Sequence, residues 1–369
     1  MIVLILIIAI IVFFVYGLIK ILIASIGGIG KSLFGEDETN VEVIDNTQAE
    51  PLKVEIKNSK FDTSKIEEYT GEGIKSYNWQ PQSFSQFIGQ SFSKEQGKTI
   101  IKKMKKGMKA HCILSAIQGH GKSTYIRLLA KSLGAKLIEV VGKQLDDPEE
   151  LVNILNIINT CPEEYVVFFL DEIDSCDWKI LKLLNPILQD GQINGKTLKP
   201  LLFASATINK DLLLKKNPDL LDRIPHHIQF SRYTPEELGI IISQYKNNLY
   251  PDENLPEEII KTIATSCKYN PRLALGIMED FIIEQNIKKV LKNRKIVKDG
   301  LTDLDIRVLK VLNGAIKPMG ANSLSQRVGL TQGQYLRDIE PFLAEFEYLK
   351  RVPSRVIGEK GKLLLEEVK

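Results

Sequence analysis

The chain has 369 residues, with 49 Lys and Arg against 46 Asp and Glu and a formal net charge of +3. That balance argues neither for nor against a polyanionic partner, and the length holds two or three domains once a membrane segment is set aside. The four cysteines (Cys112, Cys161, Cys176, Cys267) form no C-x-x-C pair; this argues against a structural zinc and for small core residues in a reducing compartment.

The first element is MIVLILIIAIIVFFVYGLI, uncharged as far as Lys20. Such a helix spans roughly 28 Å, against a hydrocarbon core of roughly 30 Å. Residues 1–26 are therefore expected to form an uncleaved transmembrane anchor. A cleaved signal peptide is the alternative. It would want a basic start and an A-x-A-like site, which Ile23-Ala24-Ser25 imitates poorly. Lys20 and Lys31 follow the apolar run, so the positive-inside tendency places the rest of a single-pass protein in the cytoplasm.

Two stretches approach the phosphate-binding pattern G-x-x-x-x-G-K-[ST]: SIGGIGKS, ending at Ser32, and AIQGHGKS, ending at Ser123. Both lack the first glycine. A P-loop needs a strand before the turn and a helix from the Lys onward. The first stretch leaves an apolar helix and runs into LFGEDETN, so it reads as a small-residue exit. The second follows HCILSAI (111–117) and opens the amphipathic STYIRLLAKSLG (123–134), which stops at Gly. If the position of Ala116 required positive φ, its Cβ would cost on the order of 1–2 kcal/mol.

Residues 27–76, polar and acidic from Phe34 onward, read as a flexible tether, of which the ~40 polar residues have an r.m.s. span of roughly 35 Å. From 77 to 230 apolar strands (111–117, 136–141, 165–170, 201–206) alternate with helices, one of them begun by Asp147-Pro148. Such alternation predicts an α/β fold with a parallel sheet covered on both faces. Asn194-Gly195 predicts a hairpin turn. Residues 231–297 read as a small helical lid domain entered through Thr234-Pro235. In 298–369, short helices followed by YLKRVPSRVIGEKGKLLL, read as a β-hairpin, suggest a winged helix.

VVFFLDEID supplies the second half of a nucleotide site. Asp171 ends a buried strand, as a carboxylate beside Mg²⁺ requires, and Glu172 is placed to polarise the attacking water. Ser123 is expected to hold the metal and Lys122 the β/γ-phosphates of ATP.

With these residues in place, the chain from about Trp79 onward resembles the AAA+ ATPases of the RuvB type, the bacterial Holliday-junction branch-migration motors. WQPQSFSQFIGQ resembles their adenine-wrapping segment, which implies a contact at Ile88. SATINK implies a sensor at Thr207. NPDLLDRIPHHIQF implies an arginine finger at Arg223, reaching a neighbour's nucleotide in a ring, by resemblance a hexamer. NPRLALGIM implies a second sensor at Arg272. Gly119, His120, Gly121 and Thr124 complete the expected nucleotide contacts.

The family usually has Arg where Gln80 stands. The hairpin at 192–199 looks shorter than the one that docks the partner RuvA, so the resemblance leaves that partner open. In the winged helix, Gln332, Gln334, Tyr335 and Arg337 at the third helix and Arg351, Arg355 and Lys360 at the wing are of the type that contacts duplex DNA phosphates. The bottom-line expectation is a membrane-tethered, ATP-hydrolysing ring that translocates double-stranded DNA. A membrane-anchored remodeller of protein complexes and an ATP-switched DNA-binding anchor are the alternatives.

Overall fold

A computed structural model describes residues 79–369, except 146, 194, 195, 209 and 369. The expected membrane helix, the tether, the Ser25–Ser32 motif and the Asn194-Gly195 turn lie outside those residues. Among the described residues no helix is long and apolar enough to cross a membrane.

Five parallel strands form the central sheet: β1 (Cys112–Ser115), β2 (Lys136–Val141), β3 (Val166–Asp171), β6 (Leu201–Thr207) and β7 (His226–Gln229), in the order β2-β3-β6-β1-β7. β4 (Gln192–Ile193) and β5 (Lys196–Thr197) make a separate small hairpin. The sheet is parallel because each crossover carries a helix, and both its faces are covered. β3 shows the consequence: Phe168 packs into the core on one face and Phe169 into the core on the other, both fully buried.

Three strands end beside one another. The register pairs Ser115 of β1 with Thr207 of β6, and Leu170 of β3 with Ser205 of β6. The loops after β1, β3 and β6 therefore emerge together at the C-terminal edge of the sheet, where ligands of open parallel sheets bind.

The helical domain packs Pro235–Leu249, Glu257–Thr265, Pro271–Glu284 and Ile287–Asn293 around Tyr233, Leu238, Ile263, Met278 and Phe281. Thr234 and Glu237 form a full capping box at its entry, of a kind worth about 1 kcal/mol. A short hairpin, Ile296–Lys298 with Leu301–Thr302, leads into the C-terminal domain. There Asp303–Asn313 and Ala321–Arg327 precede a helix that starts at Gln332 and runs to Glu345 through a π-turn at Tyr335–Ile339. Pro341 accounts for the π-turn, because its ring clashes with the carbonyl four residues back and it has no N–H to donate. The wing is Leu349–Val352 paired with Ser354–Ile357. The expected hairpin ends there. KLLL belongs instead to a helix, Glu359–Glu367, that buries Leu364 and Leu365.

Two histidines make the fold sensitive to acid. His111 accepts a hydrogen bond on Nδ1 from the Phe203 N–H (3.2 Å), and burial pushes its pKa down to about 4, with Lys109 adding to the effect. Burial does the same to His120, again to about 4. The unfolded chain takes up these protons near pH 6.5. Stability from both rings is therefore complete above about pH 6.5 and is lost as pH falls towards 4. By pH 5 each should have cost about 2 kcal/mol. Urea midpoints at pH 7.5, 6 and 5 should fall accordingly, with a shallower fall for His111→Gln. A flat profile in that range would refute the assignment.

Candidate ATP-hydrolysis site

The chain leaves β1 and turns through Ala116–Gly121 into the helix Lys122–Leu133. Gly119 and Gly121 have φ of +84° and +89°. A Cβ on Gly119 would stand 2.6 Å from Asn270 Oδ1 and 3.0 Å from Arg272 Cβ; one on Gly121 would meet the Phe87 ring at 3.1 Å. Both glycines are thus required by conformation and by space. Ala116 is not among the residues of positive φ, so the cost considered for its Cβ does not arise.

Lys122 is buried and donates from Nζ to Ala116 O (2.9 Å). Burial lowers its pKa, Asp171 works against that shift, and Arg272 adds to it. An anion placed here would restore the solvation that burial withholds. Ser123 Oγ donates to Asp171 Oδ2 at 3.3 Å. This is the hydroxyl–carboxylate pair that a phosphate-bound divalent cation uses.

Glu172 follows at once, in the left-handed region (φ 52°, ψ 44°). Its N–H donates to Asp171 Oδ1 (2.9 Å), and its carbonyl accepts from Ser175 N–H and Oγ. A Cβ on Gly142 would stand 2.6 Å from that carbonyl, so Gly142 clears room for the turn. Thr207 is buried at the end of β6 and donates to Asp174 Oδ1 (2.6 Å).

These residues wall a cleft of about 710 Å³. Ile88, Gly119, Gly121, Lys122, Ser123, Thr124, Asp171, Glu172, Thr207 and Arg272 all line it. Arg223 does not. It caps the helix Pro218–Asp222, donating from Nη1 to Asp219 O (2.6 Å) and from Nε to Gln189 Oε1 (3.3 Å). His120 needs correction: it does not line the cleft but is buried, 1 % exposed, with its ring 5.9 Å from that of Tyr233. Any nucleotide contact at this position is left to its backbone. Gln80 lines the cleft next to Arg127, whose Nη1 donates to Gln80 Oε1 (3.2 Å). A guanidinium therefore stands beside the position where sequence reasoning found one missing.

The expected DNA residues fare differently. Gln334 Oε1 accepts from Thr331 N–H and Oγ1 in a capping box. Arg355 grips the buried Glu340 with two bonds, of 2.8 and 3.1 Å, and Arg351 pairs with the same carboxylate at 2.7 Å. Tyr335 is fully buried. Tyr335 and Arg355 thus hold the domain together and are not free phosphate contacts, whereas Gln334, although its oxygen serves the cap, stays exposed. Arg337, paired with Asp338, and Arg351 keep exposed side chains. Sequence reasoning missed Glu340, because nothing in a linear pattern marks a buried acid.

A family model described as the P-loop domain of the Holliday junction DNA helicase RuvB matches residues 79–197. A second, the RuvB C-terminal winged helix domain, matches 298–366. The chain is similar to the Holliday junction branch migration complex subunit RuvB of Mycoplasma pneumoniae, 27 % identical over 303 residues, covering 76 % of this chain and 96 % of that one. It is 29 % identical to the Ureaplasma urealyticum protein of the same name over 300 residues, covering 77 % and 95 %. In fold it is similar to the Thermotoga maritima RuvB branch migration motor, with a TM-score of 0.67 at 24 % identity over 78 % of this chain and 98 % of that one. The Aeropyrum pernix ORC2 protein shares the fold more distantly, with a TM-score of 0.52 at 13 % identity.

Proposed function

We propose that this chain, a RuvB-type AAA+ ATPase, assembles as a ring and uses ATP hydrolysis to move double-stranded DNA, held at a membrane by its first residues. It is an ATP hydrolase, and the observation that carries the rest is the convergence of Lys122, Ser123, Asp171, Glu172, Thr207 and Arg272 on one cleft. Ser123 and Asp171 would hold Mg²⁺ against the phosphates, and the ion would neutralise charge on the transferred phosphoryl group. Lys122 and Arg272 add positive charge around the same oxygens, and Glu172 orients and polarises the water. Arg223 would complete a neighbour's site, which makes a ring, by family likeness a hexamer, the working unit.

DNA as substrate is supported by the RuvB-type winged helix at 298–366 and by the named activity of the relatives. Arg337 and Arg351 are the contacts this reading favours. Docking of a RuvA-like protein belongs to the relatives' biology, and the hairpin β4–β5 is where it would be sought. The membrane tether rests on the uncharged run before Lys20; it would leave the ATPase body in the cytoplasm of a bacterial or phage-infected cell.

One experiment separates these readings. ATPase rates of the full chain and of a chain starting at Ser76 are compared with no DNA, with duplex and with a four-way junction, and both are assayed for membrane recovery. The motor reading expects both proteins to be accelerated by DNA and only the full chain to pellet with membranes. Acceleration by neither DNA favours the protein remodeller. Binding without turnover favours the ATP switch. A full chain recovered soluble, or cleaved near Ala24, removes the anchor.

A further inference from the structure

Residues 231–234 join the sheet to the helical domain, and each is tied to a different part of the molecule. Ser231 N–H donates to Gln90 Oε1 (3.0 Å), and Gln90 Nε2 donates back to Ser231 O (2.8 Å). Arg232 grips both carboxylate oxygens of Glu345 in the winged-helix domain at 2.6 Å. Its guanidinium lies 5.3 Å from the rings of both Phe342 and Phe346. Tyr233 O–H donates to the P-loop carbonyl of His120 (3.2 Å). Thr234 caps the helix Pro235–Leu249.

A second segment runs alongside and repeats the arrangement. Lys268 Nζ pairs with the fully buried Asp305 of the winged-helix domain at 2.6 Å. Tyr269 stacks on Phe346, 5.0 Å between centroids and 11° between planes. Asn270 Nδ2 donates to the P-loop carbonyl of Gln118 (2.8 Å), while its Oδ1 caps the helix that carries Arg272. Arg232 Nη1 donates to Lys268 O (3.2 Å) and joins the two segments. Lys268 and Tyr269 have φ of 51° and 57° in succession, a conformation that two adjacent non-glycine residues hold only when their surroundings impose it.

The first segment therefore touches the winged-helix domain through Arg232 and a P-loop carbonyl one residue later; the second touches that domain through Lys268 and Tyr269 and a P-loop carbonyl at the next residue. Asn270 and Tyr233 thereby engage the carbonyls of Gln118 and His120. Gly119, packed against Asn270 and Arg272, gives the loop no slack.

We infer that Arg232 is a positioning residue which, together with Lys268, latches the winged-helix domain to the P-loop, so that the seating of that domain sets how the loop receives the nucleotide. The ion pair with Glu345 forms only when the domain is seated. Whatever displaces the domain frees Arg232, and with it the two segments that hold the loop. Duplex DNA as the displacing agent rests on the proposed function; the latch itself does not.

The test uses the full chain as Arg232→Gln, Glu345→Gln and the double variant. Three measurements are made on each: affinity for N-methylanthraniloyl-ADP, KM and kcat for ATP, and acceleration by duplex DNA. Each single change should weaken ADP binding and raise KM at least threefold, with kcat in the absence of DNA within twofold of wild type. The double variant should be no worse than Arg232→Gln alone, because the ion pair is already absent there. DNA acceleration should be lost while duplex binding, read by anisotropy, persists. Unchanged ADP affinity in Glu345→Gln, or effects that multiply in the double variant, would overturn the latch. Glu345 is an exposed surface carboxylate, so its variant remains interpretable if Arg232→Gln folds poorly. A wild type indifferent to DNA would overturn the motor reading instead, and the ADP measurements would still decide the latch.

Discussion

Glu172→Gln is expected to bind ATP normally, to keep its assembly and to lose on the order of 10²-fold or more in turnover. The substitution preserves size and removes only the charge proposed to polarise water. It is also structurally quiet. What fixes the turn is backbone: the Glu172 N–H on Asp171 Oδ1 and the Glu172 carbonyl on Ser175. Gln makes the same bonds and tolerates the left-handed region no worse than Glu. The Ser123–Asp171 pair is untouched, so the proposed metal position is kept. Single-turnover hydrolysis on pre-bound ATP is the measurement, since it excludes slow product release as the cause. Turnover within a few-fold of wild type would place the water-polarising group elsewhere.

Much of this site could be read from the sequence because its signals are local. A strand, a glycine turn and a helix from Lys122 lie within some twenty residues, and β2 was expected at 136–141 and found there. β3 runs one residue beyond its expected end because Asp171 still pairs in register with Val141. What could not be read depends on partners distant in the chain. His120 occupies a loop position that sequence alone assigns to the nucleotide, yet Tyr233, 113 residues later, takes its ring. Arg355 looks like part of a basic wing until Glu340 is placed beneath it. KLLL is ambiguous for another reason: a short apolar run fits a strand or a helix equally well. The helix wins here because Leu364 and Leu365 both reach the core of the domain. Arg232 and Lys268 carried no motif; only the fold reveals what they join.

Arg223→Ala is expected to bind ATP nearly as well as wild type and to lose hydrolysis by about 10³-fold, the lower range for an arginine supplied in trans. The first half follows from its absence from the cleft of its own chain. It stands between the helix Pro218–Asp222 and β7, and β7 is an edge strand of the sheet. Its guanidinium rests on two neutral acceptors, Asp219 O and Gln189 Oε1. An arginine so held can exchange those bonds for a phosphate oxygen without leaving a carboxylate unpaired. The second half requires a neighbour, and mixing decides it. Lys122→Ala subunits supply an intact Arg223 and no working pocket, while Arg223→Ala subunits supply the reverse. Each variant alone should be inactive. In a mixture, interfaces that join an intact Arg223 to an intact Lys122 pocket form again, and a fraction of the activity should return, rising to a maximum near equal proportions. Subunit exchange is verified by energy transfer between labelled variants in the same tubes. If exchange is complete and the mixture stays inactive, Arg223 does not act across an interface. Hydrolysis would then depend on one chain alone, and the proposed ring would lose its mechanistic support.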